Sequence, residues 1–131
     1  MIYLDANFFA FGILNLEEKG EKARKIHSDI IKGKKAVTSP LTLDEFMWVL
    51  IKNNRKELIR KAVLDVYSTP NLEIREVSSS VPIAAIEFIE KYGLKPRDAF
   101  HLAIMKELKI NEIVTDDPHF DKISGIKRIK L

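Results

Sequence analysis

Met1-Ile2-Tyr3-Leu4-Asp5-Ala6-Asn7 opens the chain, and its reading decides the fold. Ile2, Tyr3 and Leu4 form an apolar, partly β-rich run that is too short for a buried helix, which predicts a central strand covered on both faces. In an open α/β sheet, ligands collect just outside the carboxyl ends of the strands, so Asp5 and Asn7 stand at the rim where a site is built. The plainer alternative is that Asp5 or Asn7 caps the helix that follows.

Working outward, Asn7 to Leu14 reads as a short helix and Glu17 to Lys32 as a longer amphipathic one, with Ala23, Ile26, Ile30 and Ile31 near one face and a solvated face of Lys and Glu. Gly33 stops it, and Ala36-Val37-Thr38 forms a second strand. Ser39 is a candidate N-cap and Pro40 a first helical residue for a helix running to about Lys52. Asn54 to Tyr67 reads as another helix, and Leu72 to Val77 as an alternating third strand. Ser78, Ser79 and Ser80 offer caps for a helix from Pro82 to Tyr92, closed by Gly93. Pro96 opens the next helix, Asn111 to Thr115 gives a fourth strand, Pro118 to Ile123 a helical turn, and Ile126 to Ile129 a last strand. Strands that alternate with helices predict a parallel sheet covered on both faces.

Acids recur at the rims of these elements. On the helix from Pro40, Leu43, Phe46, Met47 and Leu50 share one face, while Leu41, Glu45, Trp48 and Val49 cover much of the other. Asp44 lies one step from Glu45, so periodicity leaves open which of the two points inward. A helix apolar nearly all round implies burial on two sides, as at a subunit contact. Asp98 falls in the first turn of its helix, where the positive helix end favours a carboxylate. His101 follows three residues later and reads as a packing or supporting residue, since no other histidine stands at a zinc spacing. Asp116 and Asp117 close the fourth strand. Asp5, Glu45, Asp98 and Asp116-Asp117, if gathered, would repel one another, a cluster tolerated chiefly when a cation neutralises it. Mg²⁺ or Mn²⁺ suits all-oxygen ligands, and such an ion activates water and offsets charge in phosphoryl transfer.

Composition narrows the classes. The 131 residues predict one domain, 1–131. No cysteine is present, which excludes disulfides and thiolate metal sites. Lys plus Arg number 22 against 19 Asp plus Glu, a mild basic excess that permits a polyanionic partner. No stretch approaches the ~18 apolar residues of a membrane span, and the expected location is cytoplasmic.

Taken in order, these segments resemble the PIN-domain ribonucleases, especially the VapC-type toxins of toxin–antitoxin pairs. Tyr3-Leu4-Asp5-Ala6-Asn7 is similar to that family's opening hydrophobic-Asp-x-Asn motif, and Ser39-Pro40-Leu41-Thr42-Leu43-Asp44-Glu45 to the stretch before its helical Glu. Arg97-Asp98-Ala99-Phe100-His101-Leu102-Ala103 resembles its Asp-Ala helix, and Val114-Thr115-Asp116-Asp117-Pro118-His119-Phe120 its Thr-x-Asp-x-x-Phe motif. The resemblance implies a PIN-like three-layer α/β fold with four to five parallel strands. It also implies that Asp5, Glu45, Asp98 and Asp117 hold the metal, which favours Glu45 over Asp44. Asn7, Thr115 and Asp116 would support them, with Lys95 and Arg97 as phosphate contacts by position. The implied activity is Mg²⁺- or Mn²⁺-dependent cleavage of RNA by a homodimeric toxin held by an antitoxin. A non-catalytic PIN-fold module that binds RNA or protein is the alternative. An Asp-x-Asp phosphatase is less apt, because Asn7 stands where its second Asp is needed.

Overall fold

The computed structural model describes all 131 residues. Five short strands form one fully parallel sheet: β1 (Ile2–Leu4), β2 (Ala36–Thr38), β3 (Leu72–Ile74), β4 (Glu112–Thr115) and β5 (Lys127–Lys130). Their spatial order is β3-β2-β1-β4-β5, so β1 is central, as its apolar composition predicts. Tyr3 pairs with Val37 on one side and Ile113 on the other. The chain leaves β1 in one direction to build β2 and β3, then returns past it to build β4 and β5. That reversal between β1 and β4 is the crevice in which open α/β sheets bind ligands.

Six helices cover the sheet: α1 (Ala6–Leu14), α2 (Glu18–Ile31), α3 (Pro40–Lys52), α4 (Ile59–Ser68), α5 (Val81–Tyr92) and α6 (Pro96–Glu107). Because strand side chains alternate in direction, β1 supplies both cores. Ile2 and Leu4 enter an apolar cluster with Phe8, Phe9, Phe46, Leu50 and Val66 under α1 to α4. Tyr3 enters the opposite cluster with Val81, Ala85, Leu102, Ile104, Ile113 and Phe120 under α5 and α6. The three-layer, parallel architecture expected from the sequence is present, with five strands.

Local departures have physical causes. The helix expected from Asn54 to Tyr67 starts later, at Ile59, after a 3₁₀ turn over Lys56–Leu58. Asn54 adopts φ +58°, and a left-handed residue there ends α3 and redirects the chain. The third strand stops at Ile74 instead of reaching Val77; Arg75 still donates to the Thr38 carbonyl, but Val77 leaves the sheet to pack with the α5–α6 core. Ser39 occupies the N-cap position of α3 without capping it. Its hydroxyl lies 2.9 Å from the Tyr3 hydroxyl instead.

The α1–α2 turn is held by Asn15, whose side-chain oxygen accepts from the Glu17 and Gly20 amides at 2.8 and 3.1 Å. A Cβ on Gly20 would sit 1.8 Å from the Asn15 carbonyl oxygen, so the backbone would have to move. Gly20→Ala is therefore expected to destabilise the protein by about 2 kcal/mol, the order of an overpacking substitution, read as a lower urea midpoint at unchanged slope.

Candidate active site

Asp5 follows β1 directly, and its backbone geometry makes it the N-cap of α1. The capping reading of Asp5 therefore holds, and the same side chain stands at the carboxyl end of the central strand. One carboxylate oxygen accepts from the Ala6 amide at 2.7 Å, and the other from the Thr115 hydroxyl at 2.8 Å. Asn7 ties the rim of β1 to that of β4: its amide group donates to the Thr115 hydroxyl oxygen at 3.1 Å, and its carbonyl oxygen accepts from the Asp116 amide at 3.1 Å. Thr115, buried at the end of β4, also accepts from the Asp117 amide at 3.1 Å. Thr115 and Asn7 thus orient the acids around them.

Glu45 turns inward from α3 while Asp44 is exposed, the choice that the helical wheel left open. Its carboxylate lies 2.6 Å from Nε2 of His101, which comes from α6 and is fully buried. A carboxylate accepts only, so Nε2 carries the hydrogen. In the neutral ring Nδ1 is then an acceptor, and the Tyr3 hydroxyl stands 2.7 Å away to donate to it. Burial raises the Tyr3 pKa above that of a free phenol, which keeps this donor protonated. Tyr3 was legible in the sequence only as an apolar strand residue; nothing in its spacing signalled this chain of hydrogen bonds. His101 also lies 3.6 Å from Asp5. Burial pulls the imidazole pKa down, but the Glu45 bond and the charge of Asp5 outweigh it, and the balance is upward.

Asp98, Asp117 and His119 form the second half of the site, with ligand atoms within 4.8 Å of one another. Asp5, Glu45 and His101 form the first half by the same measure. Nδ1 of His119 is 2.7 Å from the Asp117 carboxylate, which also accepts from the His119 amide. The Asp98 carboxyl is pushed up to about 6, first by burial, then by the charge of Asp117 and a hydrogen bond with it, then by Asp5. Asp5 is raised as well, mainly by burial. Acids that hold protons this firmly in the absence of a counter-ion are those that a divalent cation relieves. The donors are oxygens with imidazoles behind or beside them, and they fit a hard cation.

Asp116 stands apart from these two groups, its carboxylate ion-paired with Lys19 of α2 at 2.7 Å. Lys19 belonged to the face expected to be solvated. Arg97 is exposed and lines a groove of about 320 Å³ with Asp5, Asn7 and Glu45. Lys95 is exposed at the N-cap of α6 and is not part of that groove.

With this geometry in view, three comparisons are informative. A family model described as "PIN domain" matches residues 2–126. A VapC ribonuclease of Mycobacterium bovis is 25% identical over 130 residues, covering 98% of this chain and 99% of that one. Ribonuclease VapC2 of Methanocaldococcus jannaschii is 24% identical over 144 residues, covering 99% of this chain and 93% of its own. Among solved structures, VapC20 of Mycobacterium tuberculosis, a Sarcin-Ricin loop cleaving toxin, superposes with a TM-score of 0.77 at 17% identity, over 96% of this chain and 98% of that one. VapBC2 of Rickettsia felis, bound to a promoter DNA fragment, gives 0.74 at 20% identity, over 99% and 98%.

The raised Asp98 carboxyl has a thermodynamic sign. A group whose pKa is higher in the folded state is without penalty below its unfolded value and costs stability as pH rises through the folded one. The metal-free protein is therefore expected to lose stability between about pH 4 and 6 on account of Asp98, whose pKa moves from 3.8 to about 6. Asp98→Asn should flatten that slope and raise the melting temperature at pH 7 in EDTA; thermal melts at pH 4, 5, 6 and 7 check it.

Proposed function

Because this chain belongs to the PIN-domain family, we propose that it is a metal-dependent endoribonuclease that hydrolyses RNA phosphodiester bonds, and the toxin of a VapBC-type toxin–antitoxin pair. The observation that carries the reading is the placement of Asp5 with Glu45, and of Asp98 with Asp117, where the sheet reverses, with the Asp98 carboxyl pushed up to about 6 by burial first and then by the charges of Asp117 and Asp5. The full-length match to relatives named as VapC ribonucleases supports it.

In this reading the four acids hold Mg²⁺ or Mn²⁺, with Asn7 and Thr115 as supports through their side chains and Asp116 through its backbone amide, which donates to Asn7. The ion, when bound, lowers the pKa of a coordinated water and offsets charge that grows on the phosphate. The chain's own residues supply the geometry. Thr115 and Asn7 fix the Asp5 carboxylate, His101 fixes Glu45 from a position closed to solvent, and Lys19 keeps Asp116 turned aside. Arg97, facing the same groove, contacts a backbone phosphate, and Lys95 at the head of α6 extends that contact. The unit is one domain over residues 1–131, acting in the cytoplasm; no helix is long and apolar enough to cross a membrane.

Water attack leaves a 5′-phosphate and a 3′-hydroxyl, whereas attack by the ribose 2′-hydroxyl leaves a cyclic phosphate. The second route needs an acid–base pair at the substrate. His101 touches Glu45 but is buried, and His27 faces an apolar pocket beside α1 and α4, which leaves His119 as the one exposed histidine beside the acids. Mass spectrometry of the fragments should show 5′-phosphate ends, formed with Mg²⁺ and absent in EDTA. Asp98→Asn should lower the rate by more than about 100-fold, since loss of a mere supporting partner of a metal ligand costs 10–100-fold. Cyclic ends formed equally well in EDTA would overturn the reading.

Two partners go with it. The antitoxin is a protein segment that lies across the acidic groove and orders on binding. The second is another copy of the chain, as a symmetric homodimer. Trp48 and Ile51 of α3, expected near that contact, are about half exposed, and Ile83 and Ile86 of α5 are exposed at 72% and 50%. The α5 pair is the more exposed of the two and the better apolar contact. Light scattering should give a dimer at micromolar concentration for the wild type and a monomer for Ile83→Lys.

A further inference from the structure

Helix α3 carries two stripes. Thr42, Leu43, Phe46 and Leu50 are buried against the sheet. Glu45, Trp48, Val49 and Lys52, spaced i, i+3, i+4 and i+7, line the groove that also contains Asp5 and Arg97. Trp48 is the only tryptophan in the chain, and 52% of its surface is exposed. Lys52 places its ammonium 5.9 Å from the centroid of the Trp48 ring. An aromatic plane one helical turn from the acids, with Lys52 beside it and Arg97 on the same groove, offers the two things that a nucleotide unit needs: a π face for the base and a cation for the phosphate.

A base inside a duplex has both faces covered, so only an unpaired base can use such a plane. A second protein copy is a poorer occupant. Glu45 and Lys52 flank Trp48 on its own stripe, and an apolar contact would strip both charges of water. A stacked base at the groove mouth leaves them solvated.

We propose that the Trp48 indole is a stacking platform for an unpaired RNA base next to the scissile phosphate, with Lys52 moving from the ring to the adjoining phosphate. The inference rests on the ribonuclease reading above and assigns one residue, Trp48, to contact with the base.

Because the chain has one tryptophan, its fluorescence reports on this plane alone. The full-length Asp98→Asn protein, used with Mg²⁺ to suppress turnover, should show saturable quenching by a single-stranded oligoadenylate and none by a duplex of equal length. Trp48→Leu should weaken single-strand binding about tenfold, Trp48→Phe only a few-fold, and duplex binding should be unchanged in both. At a half-exposed position these substitutions leave the fold intact, which circular dichroism verifies. Equal single-strand affinity in Trp48→Leu overturns the proposal, as does equal quenching by the duplex. An RNA-free fluorescence shift with protein concentration also overturns it, since the indole would then be buried between copies. Absence of cleavage by the wild-type protein with Mg²⁺ would instead count against the ribonuclease reading, so the two failures are separable.

Discussion

Asp5 is a carboxylate carried to the end of the central strand and buried there, and most of the surrounding architecture is a response to it. A buried charge is tolerated only when it is paired or fully hydrogen-bonded. Its oxygens are met by the Ala6 amide, the Thr115 hydroxyl and, at 3.4 Å, the Asn7 amide group. These bonds do three things at once. They cap α1, lock the end of β1 to the end of β4, and hold the carboxylate on the wall of the groove that Glu45 and Arg97 also line. The same residue serves the fold and the site.

The second constraint is the polar thread behind the acids. Ser39, Tyr3, His101 and Glu45 join three segments that are far apart in the chain, and no buried side-chain polar atom lacks a partner. Such a thread holds Glu45 from behind by hydrogen bonding, where apolar packing would fix its position less sharply. It also gives the Tyr3 side chain a reason to be a tyrosine in a strand that is otherwise aliphatic.

Helix α3 shows how one element is divided between core and surface. Its apolar character all round was read as burial on two sides. One stripe is in the core, while the other forms a wall of the groove, with Trp48 and Lys52 beside Glu45. Hydropathy registers that a tryptophan is apolar. It does not register whether the ring meets the core, another subunit or a solvent-filled cleft, because that depends on what the neighbouring elements leave uncovered.

The sequence by itself determined the layering and the central place of β1, since a three-residue apolar strand and the alternation of strands with amphipathic helices admit few other arrangements. It also placed Asp5, Asp98 and Asp116-Asp117 at element ends and set Glu45 among apolar neighbours on α3. Their grouping, the inward turn of Glu45 over Asp44, and the pairing of Lys19 with Asp116 across 97 residues were decided only by tertiary structure. The reason is physical: periodicity encodes which face of an element is apolar, a local property of neighbouring residues. The contacts that orient Asp5, join Tyr3 to His101 and push up the Asp98 carboxyl arise where four elements meet, and no local spacing carries that information.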